Sequence, residues 1–165
     1  MNFDNYNNAE IEEYEKLLYK AYNSNQWYLE NYKLIDGRLI PFIDYKDQEI
    51  FLAKYNSEII ASMAVNFNNN IEFQCEKMGF KIEKNSLVCE GLSLFIFKKQ
   101  KFFEIFFQFA KEMNNFMDRH QKKIMYCTAN ENLRKMYTNK ILDFHIIDSC
   151  ILHNKEKFLL KKKLY

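Results

Sequence analysis

The stretch "LVCEGLSLFIFKKQKFFEIFF" places one carboxylate, Glu90, inside an apolar β-like run, then sets Lys98, Lys99 and Lys101 ahead of a phenylalanine-crowded helix. A buried, ionised carboxylate is costly unless it is paired or its pKa moves. Glu90 therefore needs either a structural partner or a chemical task. The lysines before the helix could meet a phosphate, as could Lys161, Lys162 and Lys163, or either cluster could simply be solvated. Other reactive groups point away from particular chemistries. His120, His145 and His153 lack metal-ligand spacing, and Cys75, Cys89, Cys127 and Cys150 form no CxxC pair, so buried free thiols are expected and no metal site. No nucleophile elbow supports hydrolysis through an acyl-serine.

Several elements must position these residues. Residues 9 to 23, "AEIEEYEKLLYKAYN", set Ile11, Tyr14, Leu17, Leu18 and Ala21 on one face of an amphipathic helix. A short helix around Trp27 to Tyr32 follows, then irregular chain through Gly37 and Pro41. "EIFLAKYNSEIIASMAVNFNNN" reads as an antiparallel hairpin turning at Asn56 and Ser57. A short helix ending near Gly79 leads to a strand over residues 86 to 97. Phe102, Phe106, Phe109, Met113 and Phe116 then recur at helical spacing, giving a broad apolar stripe suited to lying on a sheet. "KKIMYCTA" reads as a strand, "NENLRKMYTNKIL" as a helix with Asn130 at its N-cap, and "DFHIIDSCIL" as another strand. "KFLLKKKLY" reads as a final edge strand whose lysines discourage further pairing. The sum is a three-layer α/β domain, with a mixed and mostly antiparallel sheet between helices.

Composition narrows the function. The 165 residues suit one domain, spanning 1–165, and 16 Phe with 11 Tyr supply its core. The scarcity of glycine, 3 Gly in all, argues against a glycine-rich phosphate cradle of the Walker or Rossmann type. A net charge of +2 is too balanced to predict nucleic-acid binding. No apolar leader or membrane-length run is seen, so no transmembrane segment and a cytoplasmic protein are expected.

The element order, with "FLAKYNSEIIASMAV" and "ANENLRKMYTNKILDF", resembles the GNAT acyltransferase superfamily. In that family the second segment carries an asparagine, a helix with a tyrosine, and a Leu-Gly-Phe-like step. Here these are Asn130 or Asn132, Tyr137, and Leu142-Asp143-Phe144, with Asp143 in the glycine's place. The usual glycine-containing coenzyme A loop would be "FKKQKFFEIF", which has none. One branch that tolerates this loss is similar in other ways, the N-acyl amino acid synthases and acyl-homoserine-lactone synthases, whose acyl chain comes from an acyl carrier protein. Trp27, Asp44 or Asp47, and Glu90 occupy places comparable to that branch's tryptophan, acidic positions and glutamate.

What the resemblance implies is an N-acyltransferase moving an acyl group from acyl carrier protein or acyl-CoA to a small amine such as an amino acid, with no tightly bound cofactor. Glu90 would take the amine proton or hold the ammonium, and Tyr137 would protonate the departing sulfur. Phe97, Lys98, Lys99, Lys101 and Asn130 would face the donor, and Trp27 with Asp44 or Asp47 the acceptor. The arginine that branch often carries after the glutamate is replaced by Leu92, Ser93 and Leu94. The rival readings are a conventional acetyl-CoA-dependent N-acetyltransferase and a degenerate GNAT-like binding domain.

Overall fold

The apolar periodicities resolve into helices and strands in a computed structural model that describes residues 2–5 and 10–164. In chain order the elements are β1 (Asn2–Asn5), α1 (Ile11–Tyr22), α2 (Gln26–Asn31), β2 (Lys33–Ile35), β3 (Arg38–Ile40), β4 (Gln48–Tyr55) and β5 (Glu58–Asn66). They continue with α3 (Gln74–Lys77), β6 (Val88–Ile96), α4 (Phe102–Arg119), β7 (Ile124–Ala129), α5 (Glu131–Tyr137), β8 (His145–Leu152) and β9 (Lys155–Lys163). The main sheet runs β1-β4-β5-β6-β7-β9-β8. Its pairings are antiparallel except β6 with β7, which is parallel.

The two faces of this sheet bury different helices. On one, the stripe of α4 sets Phe106, Phe109, Met113 and Phe116 among Phe51, Met63, Val65 and Cys89, with Leu133, Met136 and Tyr137 of α5 packed alongside. On the other, Tyr14 and Leu18 of α1, Trp27 and Tyr28 of α2, and Cys75 of α3 cover Ile50, Leu52, Val88 and Leu92. Each buried aromatic or aliphatic side chain contributes about 1.5 to 3 kcal/mol, so these two layers hold the sheet between them. The three-layer, mixed-sheet architecture expected from the sequence is the one observed.

Two local expectations are corrected. The chain through Gly37 is a hairpin: β2 pairs with β3 around Asp36 and Gly37, whose φ values of 48° and 73° suit a primed two-residue turn. The final strand is interior, because β9 lies between β7 and β8 and leaves β8 at the margin. Leu159 and Leu160 are fully buried there, and Lys162 is buried too, so the lysines do not mark an edge. Asp143 takes a left-handed backbone, φ 54°. Aspartate tolerates that region better than most side chains.

Among the described residues, no helix is long and apolar enough to cross a membrane. No group of three or more His, Cys, Asp or Glu among them is placed to hold a metal ion. Cys75, Cys89, Cys127 and Cys150 are free thiols, with Cys150 half-buried and the others buried.

Leu160→Ala should lower unfolding free energy by about 2 to 5 kcal/mol in urea titration, while Ile151→Ala on β8 should stay within about 0.5 kcal/mol. Similar small losses at both positions would contradict the interior placement of β9.

Candidate functional site

The parallel ladder between β6 and β7 pairs Val88 with Ile124, Cys89 with Met125, Glu90 with Tyr126 and Gly91 with Cys127, and then stops. Both strands continue, β6 to Ile96 and β7 to Ala129, so they part beyond Gly91 and Cys127. On its other side β6 shifts register against β5 between Ser62 and Ala64, which bulges Ser93 and Leu94 out of the ladder. Ser93 holds φ 46°, a left-handed conformation costing about 1 to 3 kcal/mol for a non-glycine residue. Bulges of this kind re-aim backbone and side chains beside functional sites.

The parting strands leave a cleft of about 50 Å³ lined by Gly91 to Leu94 of β6 and Thr128 to Asn130 at the end of β7. Tyr22, Tyr28 and Gln74 form one wall, and Tyr137 and Lys157 contribute to the others. A smaller void of about 10 Å³ adjoins it on the α4 side, lined by Met63, Phe106, Phe109, Ala110, Met113 and Leu142. Leu94 and Tyr137 belong to both.

Glu90 precedes the cleft-lining Gly91, does not itself line the cleft, and is 1% exposed. Its Oε2 accepts from the Gln74 amide at 2.8 Å and its Oε1 from the Cys75 amide at 2.7 Å. These are donors of the first turn of α3, which an isolated helix leaves unsatisfied. Burial raises the Glu90 pKa to about 7, against the lowering effect of the two amides. The carboxylate thus has the structural partner its position required, and it anchors α3 to β6.

From α3 the polar contacts reach the cleft wall. The Tyr32 hydroxyl donates to Gln74 Oε1 at 2.8 Å, and Gln74 Nε2 donates to the Tyr28 oxygen at 3.5 Å. Tyr28 stacks on Tyr22 at 4.2 Å between centroids, and the Tyr22 hydroxyl donates to the Leu94 carbonyl at 2.8 Å. The bulge is thereby tied to α1. Burial pushes the Tyr28 phenol up to about 12 and raises Tyr22 and Tyr137 as well. Among the described residues the Tyr137 hydroxyl has no hydrogen-bond partner, while its ring packs edge-on against Phe144 at 5.3 Å.

The remaining sequence candidates fall in several places. Asn130 lines the cleft and caps α5, its Oδ1 accepting from the Leu133 amide at 2.9 Å. Phe97 follows β6, with its ring 5.0 Å from Phe95 and the Lys20 ammonium 4.8 Å above it. Lys98 lies 3.8 Å from Glu58, and Lys101 3.2 Å from Glu104; both ammonium groups sit over the Tyr55 ring. Lys99 opens a 3-10 turn, Lys99–Lys101, that precedes α4. The Lys101 amide donates to the Lys98 carbonyl at 3.1 Å, so the turn already uses one donor a phosphate would want.

Trp27 is buried against Tyr28 and Tyr32 and lines a separate cavity of about 120 Å³. Asp44 pairs with Lys46, and Asp47 accepts from Asn68, both outside the cleft lining. Sequence reading singled out Glu90, Tyr137 and Asn130 but missed Tyr22, Tyr28, Gln74 and Lys157. These come from four elements, and no local motif joins them.

No protein-family model matches the sequence, and no curated protein matches it. Its fold is shared with solved structures. The AHL synthase LasI superimposes with a TM-score of 0.80 at 11% identity, over 97% of this chain and 87% of that one. The CoA-dependent acyl-homoserine lactone synthase BjaI, with SAM and isopentyl-CoA, gives 0.74 at 10% identity over 93% and 75%. A GNAT family acetyltransferase from Elizabethkingia anophelis, with acetyl-CoA bound, gives 0.57 at 14% identity over 99% and 97%. At such identities the likeness is one of fold, shared by acyl-homoserine-lactone synthases and GNAT acetyltransferases alike.

Glu90 has an ordinary value of 4.5 when unfolded and about 7 when folded, so between those values the folded chain keeps a proton that the unfolded chain has released. Its contribution therefore weakens stability as pH rises through that window, by on the order of 3 kcal/mol at about 1.4 kcal/mol per pH unit. Urea denaturation from about pH 4.5 to about pH 7.5 should give a shallower decline for Glu90→Gln than for the unaltered chain. Identical slopes would contradict the placement of an ionisable group there.

Proposed function

We propose that this chain is an N-acyltransferase that moves an acyl group, long-chain in our reading, from a thioester donor to the amine of a small acceptor such as an amino acid. The observation that carries the proposal is a cleft with two unlike arms meeting at Leu94 and Tyr137. The arm beneath α4 is lined by apolar side chains, while the arm beneath α1 and α2 carries tyrosines, amides and a lysine. The apolar lining of the first suits an acyl chain once the slot opens, and the polar lining of the second suits an amine. Each methylene taken from water contributes about 0.8 kcal/mol, and Met63 and Met113 are flexible enough to open the slot for a chain.

In the reaction the amine nitrogen attacks the thioester carbonyl, the new C–N bond forms and the C–S bond breaks. The bulge at Ser93 and Leu94 lies where backbone groups could polarise that carbonyl. Tyr137, held protonated by its raised pKa, donates its proton to the departing thiolate. The amine's proton passes through water to Glu90, whose pKa near neutrality suits the task, and returns from there to the phenolate. Amide and free thiol are the products. Because both Glu90 oxygens already accept amide hydrogens, we also assign it the positioning of Gln74 and the tyrosine wall.

An acyl carrier protein is the donor we favour. Lys98 and Lys101 are engaged by Glu58, Glu104 and Tyr55, and one amide of the turn before α4 is taken. The small volume of the cleft favours a second reading, acetyl transfer from acetyl-CoA. Intact-mass measurement after mixing the protein with amino acids and either dodecanoyl-carrier protein or acetyl-CoA separates the two. Transfer from the carrier alone supports the first, turnover of acetyl-CoA alone the second, and inertness toward both overturns the enzyme.

Tyr137→Phe should lower kcat by about a hundredfold, the scale of general acid catalysis, with little change in donor KM. Unchanged kcat would remove Tyr137 from the chemistry. Ala110→Leu should shorten the preferred acyl chain and Met113→Ala lengthen it, read from competition among donors of mixed length. An unaltered chain-length profile in both would contradict the α4 slot.

A further inference from the structure

We infer that Lys157 is the anchor for an anionic group, a carboxylate, on the acceptor. Among the described residues that line the cleft, it is the one that carries a charge. It projects from β9, is half-buried, and has no ion-pair or hydrogen-bond partner among the described residues. Other lysines contrast with it: Lys54 pairs with Glu10, Lys84 with Glu76, and the buried Lys122 donates to the Ser86 carbonyl at 2.9 Å.

The surroundings favour an anion as its occupant. Lys157 and Asn25 form a shared wall between the cleft and the 120 Å³ cavity, whose lining adds Lys155, Ser24 and Gln26. Among the described residues, no aspartate or glutamate lines either space. Burial, together with Lys155, lowers the pKa of Lys157. A carboxylate arriving beside it would reverse that effect and gain a charge-assisted hydrogen bond in a partly desolvated site. Lys157 and Tyr137 line the same cleft, so an acceptor held by its carboxylate would keep its amine near the reacting thioester.

The inference rests on the acyl-transfer reading and deepens it, since it restricts the acceptor to amines that carry a carboxylate. Its test reads binding separately from turnover. Calorimetric titration should compare N-octanoylglycine with N-octanoylglycinamide, which differ in charge and little in shape. The unaltered protein should bind the carboxylate about tenfold to a hundredfold more tightly, the range of a hydrogen bond to a charged group. Lys157→Met should abolish that preference and Lys157→Arg should keep most of it, with urea midpoints confirming that both variants fold.

Equal affinity for the two ligands, a preference that survives Lys157→Met, or no binding of either would overturn the inference. A carboxylate preference dependent on Lys157 without turnover of any donor would uphold this anchor and remove the acyltransferase. Turnover with no carboxylate preference would do the opposite.

Discussion

Two parallel strands that pair over four residues and then separate impose the constraint on which the rest depends. Beyond Gly91 and Cys127, β6 and β7 no longer satisfy one another, and the opening must be held by what flanks it. On one side the bulge at Ser93 keeps β6 attached to β5 while its backbone turns away. On the other, β7 is held by β9, pairing from Ile124 with Lys163 to Ala129 with Phe158. Because β9 is interior, the opening lies within the sheet and not at its margin. Helices on both faces can therefore contribute to one cleft.

Glu90 joins this opening to the helices. Its carboxylate fixes the first turn of α3, α3 presents Gln74, and Gln74 meets Tyr28 and Tyr32. Tyr22 closes the circuit by donating to Leu94 in the bulge. A buried polar network of this kind is stable only when its members are satisfied, and it then holds a single arrangement. Tyr137 is the exception, with its hydroxyl left without a partner among the described residues while its ring is fixed against Phe144. Such a group is available to a ligand without being loose. The Ser93 backbone, in a costly conformation, is a further sign that this region is shaped for more than stability.

Periodicity made α1, α4 and the β4–β5 hairpin legible, because each buries one face and shows that face in its spacing. The β2–β3 hairpin was announced by Asp36-Gly37 yet hidden, since strands of three residues display no alternation. β9 was misplaced because sheet order is set by long-range pairing, and three consecutive lysines look like an edge wherever they stand. Glu90 stood out as the lone acid of an apolar strand, whereas its partners are amides, which every residue but proline carries. Lys157 was one lysine among many until the fold placed it in a cleft whose described lining includes no acid.

The fold is shared by enzymes with different donors, so the arms of the cleft, and not the architecture, carry the assignment. The central claim is that an acyl chain enters between β6 and β7 and lies beneath α4. A dodecanoyl group with a terminal photoreactive diazirine, delivered as a carrier-protein thioester and mapped by peptide mass spectrometry, tests it most directly. The account predicts adducts on Met63, Phe109 or Met113. Adducts confined to the exposed Phe103 and Phe107 on the outer surface of α4 would contradict it.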